Sequence, residues 1–316
     1  MYLCGMRSKA MTPKGRAQLA IQAQNLLEAA LSERTLKEYR RWIGEYQKWC
    51  AASGLDPFAL ATVGAWIEHL ATKYRMATLE QASAAVRFLW KLRGLDNPFQ
   101  TEPLRLLMRA LRRRLGTAKR QVRPLLPTNL ACMRWDAGTK GVRDRALLLV
   151  GFGAALRVSE LCALTIDDIE LTPEGVIITI RKSKTDQTGQ GRQVAIPRAA
   201  GALCPVRALE DYLAIRGWGR GPLFQSMHKG KLTGRPLNQR NVRDLIKDYA
   251  DRMGLDPAQF STHSLRAGLA TAAALAGADM EVIASQTGHR SLEVLRGYIR
   301  RANLFQRNAA SWVFRN

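Results

Sequence analysis

One tyrosine in this sequence lies among basic residues near the end of the chain. In the stretch TGHRSLEVLRGYIR, residues 287–300, Tyr298 follows His289 by nine residues and has arginines on both sides. A phenol with a pKa of about 10 is a weak nucleophile until nearby cations favour its phenolate form. Tyr298 therefore either packs as an ordinary aromatic residue or attacks a phosphate group that the surrounding positive charge holds.

Other residues in the second half of the chain carry the side chains that such an attack needs. They are Arg157, Glu160, Lys184, His263, Arg266 and His289. Taken singly, each has an ordinary structural interpretation, such as a solvated arginine or a lysine in a turn. Their occurrence together, in this order, favours chemistry on a phosphodiester.

Each side chain has a specific use in phosphodiester cleavage. The guanidinium groups of Arg157 and Arg266 bind non-bridging phosphate oxygens in fork geometry and stay charged at any working pH. The imidazoles of His263 and His289 add hydrogen-bond donors, and a lysine on a hairpin protonates the departing oxygen. Glu160 lies one turn after Arg157. It either orients that arginine or a histidine, or is a plain surface glutamate.

The overall charge points to the same class of substrate. The 316 residues include 49 Lys and Arg against 26 Asp and Glu, which gives a net charge of +23 and a pI near 10.6. Nucleic acid is the commonest partner of so basic a chain. A solvated basic surface and attraction to acidic lipid are the alternatives. Because the basic residues are spread along the whole chain, membrane binding is disfavoured.

The cysteines and the apolar segments predict a cytoplasmic location. The five cysteines are far apart and form no Cys-x-x-Cys pair, which is typical of free, mostly buried thiols in a reducing compartment. The longest apolar run, residues 146–156, is too short to cross a bilayer. Residues 1–11 lack the apolar core of a signal peptide. Three methionines in that segment leave the initiation site open.

Residues 14–115 carry a helical pattern without a convincing strand. Apolar residues recur every three or four positions over residues 36–49, a helix that begins at Ser32 or Thr35 and ends in the stretch ASGLDP. Further helices are predicted over residues 60–73, 78–92 and 102–115. The polar and basic segment 116–123 is predicted to be an interdomain linker.

Residues 124–316 begin with helices and then change their period. The β-branched runs GVIITIRKSK and RQVAIP, separated by TDQTGQG, predict a β-hairpin, and DDIEL predicts a third strand. After Leu237 the pattern is helical again. Candidate N-caps of the last helices are Ser261 or Thr262, Asp279 and Ser291. The sequence therefore predicts a mainly α fold with a small antiparallel β-sheet, an α+β class.

Five short segments of the second half resemble a known set of motifs. LRVSEL, RKSKT, HSLRAG, TGH and GYIR, in this order and at these spacings, resemble the catalytic motifs of the tyrosine recombinase (phage integrase) family. The resemblance covers roughly residues 124–298. It implies that Arg157 and Arg266 bind the phosphate and that Tyr298 is the nucleophile.

The same resemblance assigns the remaining residues. His263 and His289 occupy the two histidine positions of the family, and Glu160 occupies the position of the acidic support residue. The family places its general acid in the segment RKSKT, which contains both Lys182 and Lys184. We choose Lys184 because it lies nearer the turn of the predicted hairpin.

The resemblance also implies an architecture and a mechanism. A helical core-binding, SAM-like domain (14–115) and a catalytic domain (124–316) would close around DNA as a C-shaped clamp. Tyr298 would cut one strand, forming a 3′-phosphotyrosyl bond and a free 5′-hydroxyl. The 5′-hydroxyl of a second duplex would reseal it, and repetition would pass through a Holliday junction. Because the covalent bond conserves the phosphodiester energy, neither ATP nor a metal nor another cofactor is implied.

The C-terminal tail of the catalytic domain is rich in apolar side chains. They include Leu304, Phe305, Trp312 and Phe314. The tail either folds back on its own domain or, as the resemblance implies, docks on the next protomer and links four copies of the chain into a homotetramer. The other implied partner is double-stranded DNA with inverted-repeat recombination sites, in a prokaryotic cytoplasm.

Three rival functions stay open. A type IB topoisomerase uses a similar set of side chains to relax DNA without exchanging partners. A metal-dependent nuclease or transposase would need carboxylates, for which Asp167, Asp168 and Glu170 are candidates. Three acids so close together are more typical of a solvated turn and strand start. The last rival is a DNA-binding protein without catalysis, although every expected catalytic position is filled.

Overall fold

The computed structural model of the chain describes residues 30–118, 122–181 and 191–289, with residues 293, 295–297, 310, 313 and 314. Several predicted features lie outside these residues: the segment 14–29, Lys182, Lys184, Ser291, Tyr298, Leu304, Phe305 and Trp312. The chain divides into two compact units, Met1–Arg120 and Gln121–Asn316. The division falls within the segment 116–123.

The described part of the first unit contains four α-helices and a short 3-10 helix, Pro98–Gln100. The α-helices are α1 (Glu33–Ser53), α2 (Leu60–Ala71), α3 (Met76–Leu92) and α4 (Glu102–Leu115). The hydroxyl of Ser32 accepts a hydrogen bond from the Thr35 amide at 3.2 Å and so caps α1, which ends at Gly54. The predicted helices are confirmed, because apolar residues at helical spacing supply each one with a buried face.

An aromatic cluster forms the centre of the first unit. The rings of Trp42 and Trp66 meet edge to face with their centroids 6.2 Å apart, and both side chains are buried. The Tyr46 ring packs on Trp66 at 4.8 Å, while its hydroxyl donates to the carbonyl of Pro57 at 2.7 Å. This core joins α1 to α2 and keeps the buried phenol satisfied.

The second unit is also mainly helical in its described part. Its helices are α5 (Pro127–Ala131), α6 (Gly138–Gly153), α7 (Val158–Ala163), α8 (Pro205–Arg216), α9 (Gln239–Arg252), α10 (His263–Leu275) and α11 (Met280–Thr287). Helix α6 is central, with residues 146–150 buried, and it packs on α8 and α10. A Cβ on Gly268 would lie 2.0 Å from the Leu125 carbonyl oxygen. Glycine there lets α10 approach the start of the domain closely.

The predicted hairpin and third strand are confirmed. They are β1 (Ile169–Leu171), β2 (Gly175–Ile180) and β3 (Arg192–Pro197), which pair antiparallel in the order β1-β2-β3. Ile178 pairs with Val194, and Ile180 pairs with Arg192. Alternate residues of β2 and β3 are buried against the helices. The sheet therefore has one buried face and one more exposed face, which explains the period-two pattern in the sequence.

A second hairpin and helix α8 are absent from the sequence prediction. The strands are β4 (Gln225–His228) and β5 (Lys231–Pro236), joined by Lys229 and Gly230. Both turn residues have positive φ, 47° and 76°, as a two-residue hairpin turn requires. The strands are largely exposed and lack β-branched alternation, which explains the weak sequence signal. No helix in the described ranges has the length and apolarity needed to cross a membrane.

The link between α6 and α7 contains a backbone conformation that alanine rarely adopts. Ala155 has φ 49°, whereas Ala154 before it has φ −86°. Ala155→Gly should raise the free energy of unfolding by about 0.5–1 kcal/mol, because glycine takes a left-handed conformation without the Cβ clash. Ala154→Gly is the matched control and should lower stability by about 0.5–1 kcal/mol. Urea denaturation measures both changes; a less stable Ala155→Gly protein would contradict the expectation.

Candidate active site

Arg157 and Glu160 form a compact ion pair at the start of α7. The Arg157 amide donates to Oε2 of Glu160 at 2.9 Å, and its Nη1 donates to Oε1 at 2.6 Å. The Glu160 side chain is only 1% exposed and that of Arg157 is 16% exposed. The surface-glutamate alternative is therefore wrong. Glu160 fixes both the backbone and the guanidinium group of Arg157.

Arg266 is held beside the same turn. It lies in the second turn of α10, is 6% exposed, and donates from Nη1 to the carbonyl of Ala155 at 2.9 Å. Ala155 precedes Arg157 by two residues, and its left-handed backbone lies between the end of α6 and the arginine. This hydrogen bond therefore joins the segments that carry the two arginines, more than a hundred residues apart in the chain.

His289 follows α11 and is held by a neighbouring hydroxyl. Its Nδ1 lies 2.6 Å from Oγ1 of Thr287, and that same hydroxyl donates to the carbonyl of Ile283 at 2.6 Å. A threonine hydroxyl has one proton, so Nδ1–H of His289 is the donor to Thr287. The neutral ring consequently presents Nε2 as a hydrogen-bond acceptor, whereas the sequence suggested a donor at this position.

The electrostatic surroundings keep His289 neutral. Burial, and then the positive charges of Arg266, Arg157 and Arg192, together lower the pKa of its imidazole to about 4. All three guanidinium groups act on the His289 imidazole, although they come from three separate parts of the chain. At neutral pH the ring adds no positive charge to the site.

His263 is the first residue of α10, one turn before Arg266. Its side chain is exposed, and its amide donates to the hydroxyl of Ser261 at 3.2 Å. Thr262, the other candidate cap, has a helical backbone and no side-chain cap bond. Ser261 therefore performs the side-chain capping at this end, and His263 faces the surface while Arg266 is buried.

The predicted nucleophile and general acid, Tyr298 and Lys184, lie outside the described residues, so their roles stay predictions. Residues 295–297, which directly precede Tyr298 in sequence, are helical. Leu295 among them is fully buried and packs with Ala270 and Ile283 of α10 and α11. The chain is therefore anchored, within three residues of the tyrosine, to the helix that carries Arg266 and to the helix that precedes His289.

Arg192 joins the site although it is absent from the residues that the motifs predict. It is the first residue of β3, its side chain is 23% exposed, and its Nη2 lies 3.9 Å from Oε2 of Glu160. Its Nη1 donates to the carbonyl of Gln286 at 3.2 Å. The sequence signal was weak, because an arginine at the start of a strand is usually solvated.

Comparison with models of known protein families shows which family the chain belongs to. The family model described as the phage integrase family matches residues 119–304, more than half of the sequence. The chain belongs to the phage integrase family. The fold class predicted from the sequence, mainly α with a small antiparallel sheet, is confirmed.

Individual relatives agree with this membership. The integrase/recombinase XerD homolog of Selenomonas ruminantium is 34% identical over 307 residues, which are 94% of this chain and 90% of the relative. The tyrosine recombinase XerD of Corynebacterium glutamicum is 28% identical over 86% of this chain and 89% of its own length. The crystal structure of the XerH site-specific recombinase bound to a palindromic difH substrate shares the fold. Its TM-score is 0.66 at 16% identity, covering 96% of this chain and 86% of XerH.

Asp168, one of the three acids that a metal-dependent nuclease or transposase would need, has a structural role in this integrase-family protein. Asp168 is buried, not solvated, and accepts hydrogen bonds at 2.8 Å from the amide and the hydroxyl of Thr165. Its other oxygen accepts from Nε of Arg181 at 2.5 Å. Asp168 therefore closes the turn before β1. Among the described residues, no group of three or more potential metal ligands comes together.

We expect the His289 ring to titrate near pH 4 with its neutral proton on Nδ1. Long-range ¹H–¹⁵N NMR measures both properties, and His289→Gln identifies the signals. The folded pKa lies below the ordinary 6.5, so the unfolded chain binds the proton more readily as the pH falls. This contribution to stability is present above about pH 6.5 and is lost towards pH 4. His289→Gln should flatten the stability profile in that window; titration near 6.5 would contradict the assignment.

Proposed function

We propose that this protein is a site-specific DNA recombinase that cuts and rejoins strands through a 3′-phosphotyrosyl bond to Tyr298. The observation that carries the proposal is the charge of the cluster. This cluster consists of the guanidinium groups of Arg157, Arg192 and Arg266, the carboxylate of Glu160 and the neutral imidazole beside them, that of His289. Positive charge is in excess among these groups, and a phosphodiester is the anion that offsets it.

The proposed reaction uses each group once in each direction. The oxygen of Tyr298 attacks phosphorus while the bond to the 5′-oxygen breaks, and Lys184 gives that oxygen its proton. Arg157 and Arg266 bind the non-bridging oxygens on which charge collects. Nε2 of His289 is available to accept the phenolic proton, since Nδ1–H is engaged with the threonine hydroxyl. Rejoining reverses these transfers with the 5′-hydroxyl of the partner strand.

The proposed strand exchange is sequential, as the resemblance to the tyrosine recombinase family implies. Each cut leaves a covalent bond that conserves the phosphodiester energy, which makes the cut reversible without ATP. In the proposed sequence one pair of strands is exchanged first, a Holliday junction forms, and the second pair follows. A palindromic substrate, such as the difH substrate of XerH, presents the same half-site to two copies of a protein. We propose that this chain likewise binds double-stranded DNA with inverted-repeat sites.

The helical unit would supply additional contacts to DNA. Arg105, Arg109 and Arg112 recur at four- and three-residue spacing along α4, so they lie on one face, and all are exposed. Arg112 pairs with Glu80 of α3 at 3.1 Å, which orients one guanidinium group at the surface. We propose that this stripe binds phosphates in the manner of a core-binding domain, which makes affinity fall with salt.

The apolar tail is proposed to link protomers. Val313 and Phe314 are 73% and 82% exposed, an unusual state for large apolar side chains. Docking of this tail on a second copy of the chain would remove these side chains from water. We propose that it joins four protomers on two duplexes. The thiols of Cys50, Cys132, Cys162 and Cys204 are free, which suits action in a reducing cytoplasm.

Tyr298→Phe should abolish covalent DNA capture and leave site binding within about twofold, because only the nucleophilic oxygen is removed. The wild-type protein first selects its site from random-sequence duplexes. A nicked duplex with that site then traps the covalent complex, which is measured by denaturing electrophoresis in EDTA. Capture in EDTA supports a reaction without metal. Normal capture by Tyr298→Phe, or capture by the wild type only with added Mg²⁺, would overturn the proposal.

Recombinant products distinguish this function from that of a type IB topoisomerase. Two plasmids that carry the selected site should yield a recombinant plasmid and a four-way junction intermediate, without ATP. Site binding with strand exchange is expected because the family comprises integrases. Relaxation of supercoils without any recombinant plasmid or junction would favour the topoisomerase instead.

A further inference from the structure

Arg192 occupies a place between two parts of the candidate active site. It begins β3, opposite Ile180 of β2, and its guanidinium group lies over Gly288. A Cβ on Gly288 would lie 3.0 Å from both Cζ and Nε of Arg192. Glycine at 288 also has φ 62°, the left-handed conformation that ends α11. The residue before His289 is therefore shaped to receive this arginine.

One end of the guanidinium group binds the last turn of α11. Nη1 of Arg192 donates to the carbonyl of Gln286, where the helix leaves backbone acceptors unpaired and a cation is favoured. The side chain of Gln286 extends the connection to the sheet. Its Nε2 donates to the carbonyls of Gly153 at 2.9 Å and Ala195 at 3.1 Å. The end of α11 is thus fastened to both β3 and the end of α6.

The other end faces the arginine–glutamate pair. Nη2 of Arg192 is buried, makes no hydrogen bond to a described residue, and lies 3.9 Å from Oε2 of Glu160. The same carboxylate oxygen also accepts a hydrogen bond from the Arg157 amide. Burial lowers the pKa of Arg192; Glu160 opposes that effect, and Arg157 adds to it. Glu160 therefore lies between two cations and responds to the position of both.

We propose that Arg192 is a positioning residue that holds the turn before His289 in register with the Arg157–Glu160 pair. This inference rests on the proposed function, because it assigns Arg192 a task in DNA strand cleavage. The planar guanidinium group reaches a helix-end carbonyl and a buried carboxylate at once. A lysine ammonium is a single point of charge and cannot span both acceptors in the same way.

The test compares substitutions at Arg192 with a matched control. Arg192→Met removes the charge and the fork, and Arg192→Lys keeps the charge alone. Arg198→Met is the control, because Arg198 directly follows β3, is 39% exposed and pairs with Glu210 on α8. All proteins are assayed on the nicked duplex that the wild-type protein selects, with thermal unfolding as the check on folding.

We expect Arg192→Met to slow covalent capture by about 10- to 100-fold, as displacement of a reacting group does. Arg192→Lys should lie between Arg192→Met and the wild type, while Arg198→Met should stay within about twofold of the wild type. The pKa of His289, followed by NMR, should rise in Arg192→Met and stay low in Arg192→Lys, since only the former loses the charge. If Arg192→Met does not fold, Arg192→Lys alone carries the test, with slower capture at an unchanged His289 pKa.

Salt dependence separates positioning from direct phosphate binding. If Arg192 only positions the turn, it makes no phosphate contact, and the slope of log affinity against log salt should be unchanged in Arg192→Met. Each phosphate contact that is lost would reduce the magnitude of that slope by about 0.9. A reduced slope, or capture at the wild-type rate by both Arg192 variants, would overturn the inference while Tyr298→Phe still tests the proposed function. If the wild-type protein captures no DNA, the proposed function fails, and the His289 titration still reports whether Arg192 acts on the turn.

Discussion

Like-charged groups held close together in a partly buried site are the constraint on which the rest of this structure depends. Arg157, Arg192 and Arg266 all act on the same imidazole, and Arg157 disfavours the charged form of Arg192. Burial alone would make such a cluster costly. Glu160 offsets part of the repulsion, and the remainder makes the site suited to an anion. The apolar core around α6 must supply the free energy that holds these charges in place.

Backbone carbonyls do much of this holding. Arg266 binds the carbonyl of Ala155, Arg192 binds that of Gln286, and the Gln286 side chain binds those of two further residues. Carbonyl oxygens stabilise guanidinium groups without neutralising them. The site therefore keeps its positive charge for a phosphodiester while each cation remains oriented. The left-handed backbone of Ala155 is a local strain that this arrangement tolerates, as is common at functional sites.

The regular elements were predictable because their signals are local. The aromatic helix α1, with Ser32 as its cap, and the hairpin of β2 and β3 each carry a periodic apolar face in a short window. Strands β4 and β5 bury little apolar surface, so apolar residues do not alternate along their sequence. Gly230 in the turn is the one local signal of this hairpin. Asp168 looked solvated among its acidic neighbours, yet contacts with Thr165 and Arg181 bury it.

The sequence by itself determined the identity and order of the candidate reactive groups: two arginines, two histidines, a lysine and a tyrosine, in segments that resemble motifs of the phage integrase family. Only the tertiary structure decided that Glu160 is buried, that His289 is neutral with its proton on Nδ1, and that Arg192 belongs to the site. The reason is the range of the interactions. Periodicity and motifs act along the chain, whereas protonation and charge pairing depend on distances through space between segments far apart in sequence.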